Sequence, residues 1–180
     1  NAAEPADMTT WDNYVERVVR RYSGRIKYYD IWNEINLTSF YSGDFKTMLE
    51  LQMRAYKIIK AIDPAAKLIA PSITGNNLSE VRKLGEYLKL GGGKYADIVS
   101  YHFYTPKSHP EAIFPLAQAV KTQVSEAGFA TLPVWNTESG YLIDSDIAAP
   151  TADATVNKQW LRLNEEEGTA YTIIAVIAAV

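Results

Sequence analysis

The sequence predicts an α/β protein with a parallel sheet, and three observations support this fold class. Segments with apolar residues at helical spacing alternate with short runs of β-branched and aromatic residues, and glycine or proline stands at most of the breaks between them. The 180 residues are 47% apolar and 22% charged, as in globular proteins. Strands that alternate with helices of about 10–20 residues form βαβ units. We therefore expect one domain over residues 1–180, with four strands and about five helices.

The expected helices are bounded by capping residues, glycines and prolines. The first begins at residues 9–12, where a threonine cap is followed by an acid, and ends at Gly24. The next three run from Asp44 to residues 63–64, from Ser79 to residues 91–93, and from Pro110 to residue 128. A last helical region reaches the C-terminus and is interrupted at Gly168. The strands are expected at residues 26–32, 67–70, 96–103 and 132–136, and a polar stretch at residues 143–155.

Charge and composition argue against several classes of partner. The net charge is −3 and the pI about 5.4, so we expect neither nucleic acid nor a membrane as a partner. The chain has no cysteine, hence no disulfide and no thiolate metal site. The apolar run at residues 171–180 is shorter than the roughly 20 residues that span a bilayer, and we expect it to be buried. Residues 1–7 show no signal peptide, and the compartment stays open, although we favour a secreted or periplasmic location.

Two glutamates follow predicted strands in similar surroundings. Glu34 ends the run Tyr28-Tyr-Asp-Ile-Trp-Asn-Glu34, and Glu138 ends Leu132-Pro-Val-Trp-Asn-Thr-Glu138. A third strand ends with His102 and Tyr104, whose side chains share a face by the strand period of two. A lone carboxylate after a strand is usually a helix cap or a solvated acid, and a lone histidine is usually structural. Their coincidence at three strand ends, where α/β proteins build their sites, favours an active site.

These motifs resemble those of a large clan of glycosidases, which are (β/α)₈ TIM-type barrels with catalytic glutamates on strands 4 and 7. Ile31-Trp-Asn-Glu34 resembles the acid/base signature of the clan, Thr137-Glu-Ser-Gly140 its nucleophile signature, and Tyr101-His-Phe-Tyr104 its strand 6. The segment at residues 60–71 resembles the connection between strands 4 and 5. The resemblance covers residues 11–141 and continues more loosely from residue 169. Families 39 and 5 are the most similar.

The resemblance implies hydrolysis of O-glycosidic bonds, in β-linked oligo- or polysaccharides, by a retaining double displacement without cofactor or metal. Glu34 would be the general acid and then the base, and Glu138 the nucleophile. Retaining enzymes hold these carboxyl groups about 5–5.5 Å apart, so we expect that spacing here. Asn33 would bind the sugar 2-hydroxyl, His102 another hydroxyl, and Tyr104 would hydrogen-bond Glu138.

Aromatic residues near the motifs are further candidates for contacts with a sugar. Trp135 is taken as substrate-binding, with a place in the core under the site as the alternative, and Trp32 is expected in the core under the site. Phe40, Tyr41 and Trp160 lie on predicted loops and are candidates for stacking platforms.

The resemblance accounts for only part of a barrel. The chain matches strands 4–7, and strands 1–3 and 8 have no counterpart, whereas a complete barrel typically has about 250 residues. Four strands would leave two open edges and an uncovered inner face. Three explanations stay open: a fragment of a longer enzyme, a half-barrel that closes with a second copy, and an open sheet that folds alone.

Two rival functions also stay open. The chain could be an inactive carbohydrate-binding or structural remnant of a glycosidase. It could instead be a metal-dependent hydrolase that uses Glu34, Glu138 and His102 as ligands, although neither histidine lies in a recognisable metal-ligand motif.

Overall fold

The computed structural model describes residues 2–143 and 161–178, and within them helices and strands alternate as the sequence predicts. The helices are α1 (Met8–Tyr22), α2 (Phe45–Ile62), α3 (Leu78–Leu90), α4 (Ile113–Glu126) and α5 (Glu165–Ala178). Two short 3-10 turns, Gly92–Tyr95 and Pro110–Ala112, precede β4 and α4. The strands are β1 (Tyr28–Asp30), β2 (Lys67–Ile69), β3 (Ile73–Thr74), β4 (Val99–His102), β5 (Val134–Glu138), β6 (Leu142–Ile143) and β7 (Arg162–Leu163).

Strands β1 to β5 form a parallel arrangement in chain order, which we call the main sheet. β1 pairs with β2, β3 follows β2 and pairs with β4, and β4 pairs with β5, all in parallel. A parallel bridge between Ile69 and Ile98 joins β2 to the segment that enters β4. Parallel neighbours connected through helices are the βαβ units expected from the alternation of the sequence.

The two faces of the main sheet have different surroundings. Leu68, Val99 and Tyr101 point to the helices and are buried in the core. The opposite face, which we call the inner face, carries Tyr28 and Trp135, which are 48% and 38% exposed. Tyr28 lies on β1 and Trp135 on β5, at opposite sides of the main sheet, yet their ring centroids are 4.9 Å apart. Neighbouring strands lie about 4.8 Å apart, so this contact shows that the sheet curls and its inner face is concave.

Two helices begin at caps other than those predicted. The cap of α1 is Asp7, whose carboxylate accepts from the Thr10 N–H at 2.7 Å, and not a threonine at positions 9–10. The cap of α3 is Asn77, which accepts from the Ser79 N–H, so Ser79 lies inside the helix. Asp44 caps α2 as predicted. Asp, Asn, Ser and Thr all favour this position, so the sequence narrows the cap to a few residues and the local geometry selects one.

Some predicted elements differ at their ends. The strand predicted at residues 67–70 resumes beyond Pro71 as β3, and the last predicted strand continues through Glu138. The small parallel pair of β6 and β7 was not predicted. The polar stretch predicted at residues 143–155 lies, beyond Ile143, outside the described residues.

Helix α5 corrects two predictions for the C-terminal region. Gly168 does not interrupt this helix but lies buried within it, where a Cβ atom would come within 2.0 Å of Ile143 Cδ1. The glycine thus permits a close approach of α5 to β6. The run at residues 171–180 was predicted to be buried, but among its described side chains, at residues 171–175, only Ala175 joins the core and Ile173 is 55% exposed. Among the described residues, no helix combines the length and hydropathy needed to cross a membrane.

Candidate active site

Glu34 lies in the turn that follows β1 and has an unusual backbone. Its φ of 45° makes it the one non-glycine residue with a positive φ in the described part of the chain. This region of φ costs a non-glycine residue about 1–3 kcal/mol and persists only where the surroundings hold it. Glu34 is also only 6% exposed. A buried carboxyl group on strained backbone is more typical of a functional site than of a solvated loop.

The turn is held against the start of β3 by hydrogen bonds that the sequence did not predict. The Glu34 N–H donates to Ser72 Oγ at 2.9 Å, and the Ile35 N–H donates to the Ser72 carbonyl at 3.0 Å. The side chain of Asn36 exchanges two hydrogen bonds with the Thr74 backbone, at 2.8 and 3.1 Å, and so extends the pairing. Neither Ser72 nor Asn36 belongs to a motif that could have marked it in advance.

A β-bulge sets the direction of Glu138. Ser100 pairs with Trp135 on the inner face, and Tyr101 pairs with Asn136 on the face toward the helices. His102 then pairs with Glu138, so β5 has one extra residue at this point. Regular alternation would have placed Glu138 on the same face as Asn136. The bulge instead brings it to the inner face beside His102, as bulges near active sites often do.

His102 lies between the two glutamates and is nearly inaccessible. Its Nδ1 is 2.9 Å from Glu34 Oε1 and 3.9 Å from Glu138 Oε2. One ligand atom from each of Glu34, His102 and Glu138 lies within 4.8 Å of the other two. The two carboxyl groups therefore face each other at the C-terminal end of the main sheet. His102 is only 2% exposed, and its described polar contacts are with the two carboxylates. Its expected contact with a sugar hydroxyl therefore stays a prediction.

Tyr104 makes the hydrogen bond that was expected from the sequence. Its hydroxyl donates to Glu138 Oε1 at 2.5 Å. Burial, followed by this hydrogen bond and by the charges of both glutamates, raises the pKa of Tyr104 above its ordinary value. The hydroxyl thus remains a proton donor to Glu138 throughout the neutral range.

The other predicted residues lie in several different surroundings. Asn33 is exposed beside Glu34. Trp135 contacts Tyr28 on the inner face, below the carboxylates. Trp32 is half-buried and packs against Trp11 of the core, as expected. Phe40 is 45% exposed and stays a candidate platform.

Of the two remaining aromatic candidates, Tyr41 and Trp160, the structure tests only Tyr41. The expectation that Tyr41 is a stacking platform is wrong, because it is 1% exposed and bonded through its hydroxyl to Glu4 and the Asp44 carbonyl. Trp160 lies outside the described residues.

Comparison with known proteins decides the family. The family model for glycosyl hydrolases family 39 matches residues 1–161. The chain belongs to glycosyl hydrolase family 39. Among curated protein sequences, none matches the chain.

Solved structures agree with this family 39 assignment at the level of the fold. A glucosidase from Croceicoccus marinus superposes with a TM-score of 0.70 and 20% identity, over 99% of this chain and 37% of its own. A family 39 β-xylosidase from Caulobacter crescentus gives 0.63 and 24%, over 86% and 33%. A family 39 glycoside hydrolase from Bacteroides cellulosilyticus WH2 gives 0.64 and 19%, over 97% and 35%. The chain thus spans about a third of the length of these proteins.

Glu34, His102 and Glu138 also form a cluster whose geometry could hold a metal ion, the only one among the residues that the structure describes. Part of their bonding capacity is used in hydrogen bonds within the site. His102 Nδ1 lies at hydrogen-bond distance from Glu34, and Glu138 Oε1 accepts from Tyr104. This arrangement supports carboxylate chemistry over the metal-dependent alternative.

Proposed function

We propose that this family 39 chain carries the catalytic carboxylates of a retaining glycoside hydrolase, with Glu34 as acid/base and Glu138 as nucleophile. The observation that carries the proposal is the spacing, within 4.8 Å, of a Glu34 oxygen and a Glu138 oxygen. Retaining enzymes hold the two carboxyl groups about 5–5.5 Å apart, whereas inverting enzymes leave about 6.5–9.5 Å for a water. The observed spacing lies on the short side of this division and supports retention.

The two carboxyl groups have different surroundings, as a double displacement requires. Glu34 is buried and bonded to His102, while the Glu138 side chain is 49% exposed and bonded to Tyr104. In the first step Glu138 attacks the anomeric carbon and Glu34 gives its proton to the leaving oxygen. In the second step Glu34 takes a proton from water, which displaces Glu138.

Asn33 and Trp135 are proposed as substrate contacts, and His102 as a support for Glu34. Asn33 is exposed beside Glu34, where its amide is available to the sugar 2-hydroxyl. Trp135 offers an exposed ring on the inner face, and His102 holds Glu34 in place. The relatives include a glucosidase and a β-xylosidase, so we propose β-linked xylose or glucose as the sugar to be tested first.

We also propose that the main sheet corresponds to strands 4 to 7 of a complete (β/α)₈ barrel. Tyr28 and Trp135 are apolar and exposed on its concave face. A groove of about 560 Å³ runs between α1 and β1, lined among others by Tyr14, Val18 and Ile31. Such surfaces are usually covered in a complete protein. Barrel strands from outside these residues, or a second copy of the chain, would cover them.

A mechanism-based inhibitor tests the proposed roles directly. A 2-deoxy-2-fluoroglycosyl fluoride forms a stable ester with the nucleophile, so mass spectrometry of peptides should find the label on Glu138. Glu34→Ala should slow turnover of an aryl β-glycoside by roughly 10²–10⁴-fold, and azide should partly restore it, because a small anion can occupy the vacated space. Glu86→Ala, on the exposed side of α3, is the matched control. A folded chain that binds sugar but takes no label would instead be a non-catalytic remnant.

A further inference from the structure

Ser72 lies between β2 and β3, is fully buried, and contacts the turn that carries Glu34. Its hydroxyl accepts from the Glu34 N–H at 2.9 Å and lies 3.5 Å from the Trp32 carbonyl, to which it can donate. Its own N–H donates to the Trp32 carbonyl at 3.0 Å, and its carbonyl accepts from Ile35 at 3.0 Å. One residue thus holds the turn on both sides of Asn33 and Glu34.

The backbone of Glu34 explains why a side chain is needed here. With φ at 45°, Glu34 leaves the extended conformation in which its N–H could point to a carbonyl of a parallel neighbour. The donor is buried and needs a partner, and the Ser72 hydroxyl supplies it. An alanine at this position would have no acceptor for that N–H, and the turn would be free to relax toward ordinary φ values.

We infer that Ser72 is a positioning residue for the acid/base glutamate, acting through the Glu34 backbone. The inference rests on the proposed function, because it assigns to Ser72 the aim of Glu34 toward the leaving oxygen. The direction of the Glu34 side chain is fixed by its backbone at one end and by His102 at the other. Ser72 therefore controls proton donation without contact with the substrate.

A pair of substrates separates this role from a general structural one. A phenyl β-glycoside needs its leaving oxygen protonated, whereas a 2,4-dinitrophenyl β-glycoside has a good leaving group and needs little acid. Ser72→Ala should lower kcat/KM roughly 10–100-fold for the phenyl substrate and less than about threefold for the dinitrophenyl substrate. Ser72→Thr keeps the acceptor and should retain the wild-type ratio. Equal losses on both substrates, or no loss, would overturn the inference.

The control variant removes a buried hydroxyl elsewhere. The Tyr87 hydroxyl on α3 donates to Gln52 on α2, on the helix side of the sheet. Tyr87→Phe should change stability but leave the ratio of the two substrates unchanged. If Ser72→Ala does not fold, Ser72→Cys, which keeps the volume but accepts weakly, takes its place.

A second readout needs no turnover and separates failure of this inference from failure of the proposed function. The chain has two histidines, so the ¹⁵N signals of His102 can be assigned with a single His109→Gln variant. Ser72→Ala should shift the His102 Nδ1 signal, because Glu34 moves, and Ser72→Thr should not. An unchanged signal would overturn the role of Ser72. Wild-type protein that hydrolyses no glycoside would contradict the proposed function. The NMR result would then still show whether Ser72 positions Glu34.

Discussion

Replacing Tyr104 by phenylalanine removes one hydrogen bond from the proposed nucleophile and leaves the ring in place. The Tyr104 hydroxyl donates to Glu138 Oε1 at 2.5 Å. Hydrogen bonds to charged groups contribute about 1.5–3 kcal/mol. The Glu138 side chain is 49% exposed, so water can replace part of the lost bond and the lower end of this range applies. About 1.4 kcal/mol corresponds to a factor of ten, so we expect kcat/KM to fall roughly tenfold.

The assay is hydrolysis of p-nitrophenyl β-xyloside or β-glucoside, together with the rate of labelling by the glycosyl fluoride. Both report the first step, so both should fall by the same factor. The pKa of Tyr104 is raised by burial and by Glu138, and a tyrosine is neutral below its pKa. The hydrogen bond is therefore intact below about pH 10, which is the ordinary pKa of a tyrosine. It is lost only as the pH rises through the higher pKa that Tyr104 has in the folded protein. The loss in the variant should accordingly be the same at pH 5 and pH 8.

Tyr141→Phe is the matched control for this variant. The Tyr141 hydroxyl lies 3.2 Å from Thr105 Oγ1 and contacts neither carboxylate. It should therefore leave both rates within about twofold of wild type. Equal losses in the two variants, or a folded Tyr104→Phe protein with unchanged rates, would refute the assignment of Tyr104 as the partner of the nucleophile.

Three further outcomes are expected. Glu138→Gln should abolish turnover without loss of the fold, because an amide cannot form the glycosyl ester, and a rate within about tenfold of wild type would contradict this. Burial raises the pKa of Asp30 to about 7, above its unfolded value, so its stabilising contribution is lost as the pH rises through 7. Asp30→Asn should thus raise the melting temperature at pH 8 but not at pH 4. Since Asp30 keeps an exposed surface, we expect less than about 1 kcal/mol, and equal effects at both pH values would count against it. Sedimentation of the 180-residue chain should show self-association or a bound partner, because exposed apolar surface on the order of a few hundred Å² would cost several kcal/mol. A monomer that melts cooperatively would be the contrary result.

The parts of the fold that the sequence predicted depend on local patterns. Helical spacing and β-branched runs placed the helices and the strands of the main sheet, and the Trp-Asn motifs placed both glutamates at strand ends. Since the C-terminal ends of parallel strands lie at one edge of a sheet, both glutamates were expected at that edge, and the curl of the main sheet brings them together. The pairing of Tyr104 with Glu138 was likewise expected from the family resemblance and is present.

The parts that the sequence did not predict depend on contacts between distant segments. The extra residue at Thr137 is visible only once β5 is set against β4, because a bulge is a property of a pair of strands. Ser72 could not be marked from the sequence, because its role depends on a hydrogen bond to the backbone of Glu34, 38 positions earlier. Gly168 was mistaken for a helix breaker because the side chain that requires it, Ile143, belongs to another element.

Because the two glutamates lie on different strands, the geometry of the site depends on the local stability of the main sheet. Glu34 follows β1 and Glu138 ends β5, so their approach depends on every strand pairing in between. Exposed edges are where a protein opens most readily, and each edge of the main sheet carries one of the carboxylates. Fraying at β1 or at β5 would therefore separate the pair while the helices remain folded. Amide hydrogen exchange at these edges and loss of the carboxylate pair should therefore follow the same local opening reaction, well below the temperature of global unfolding.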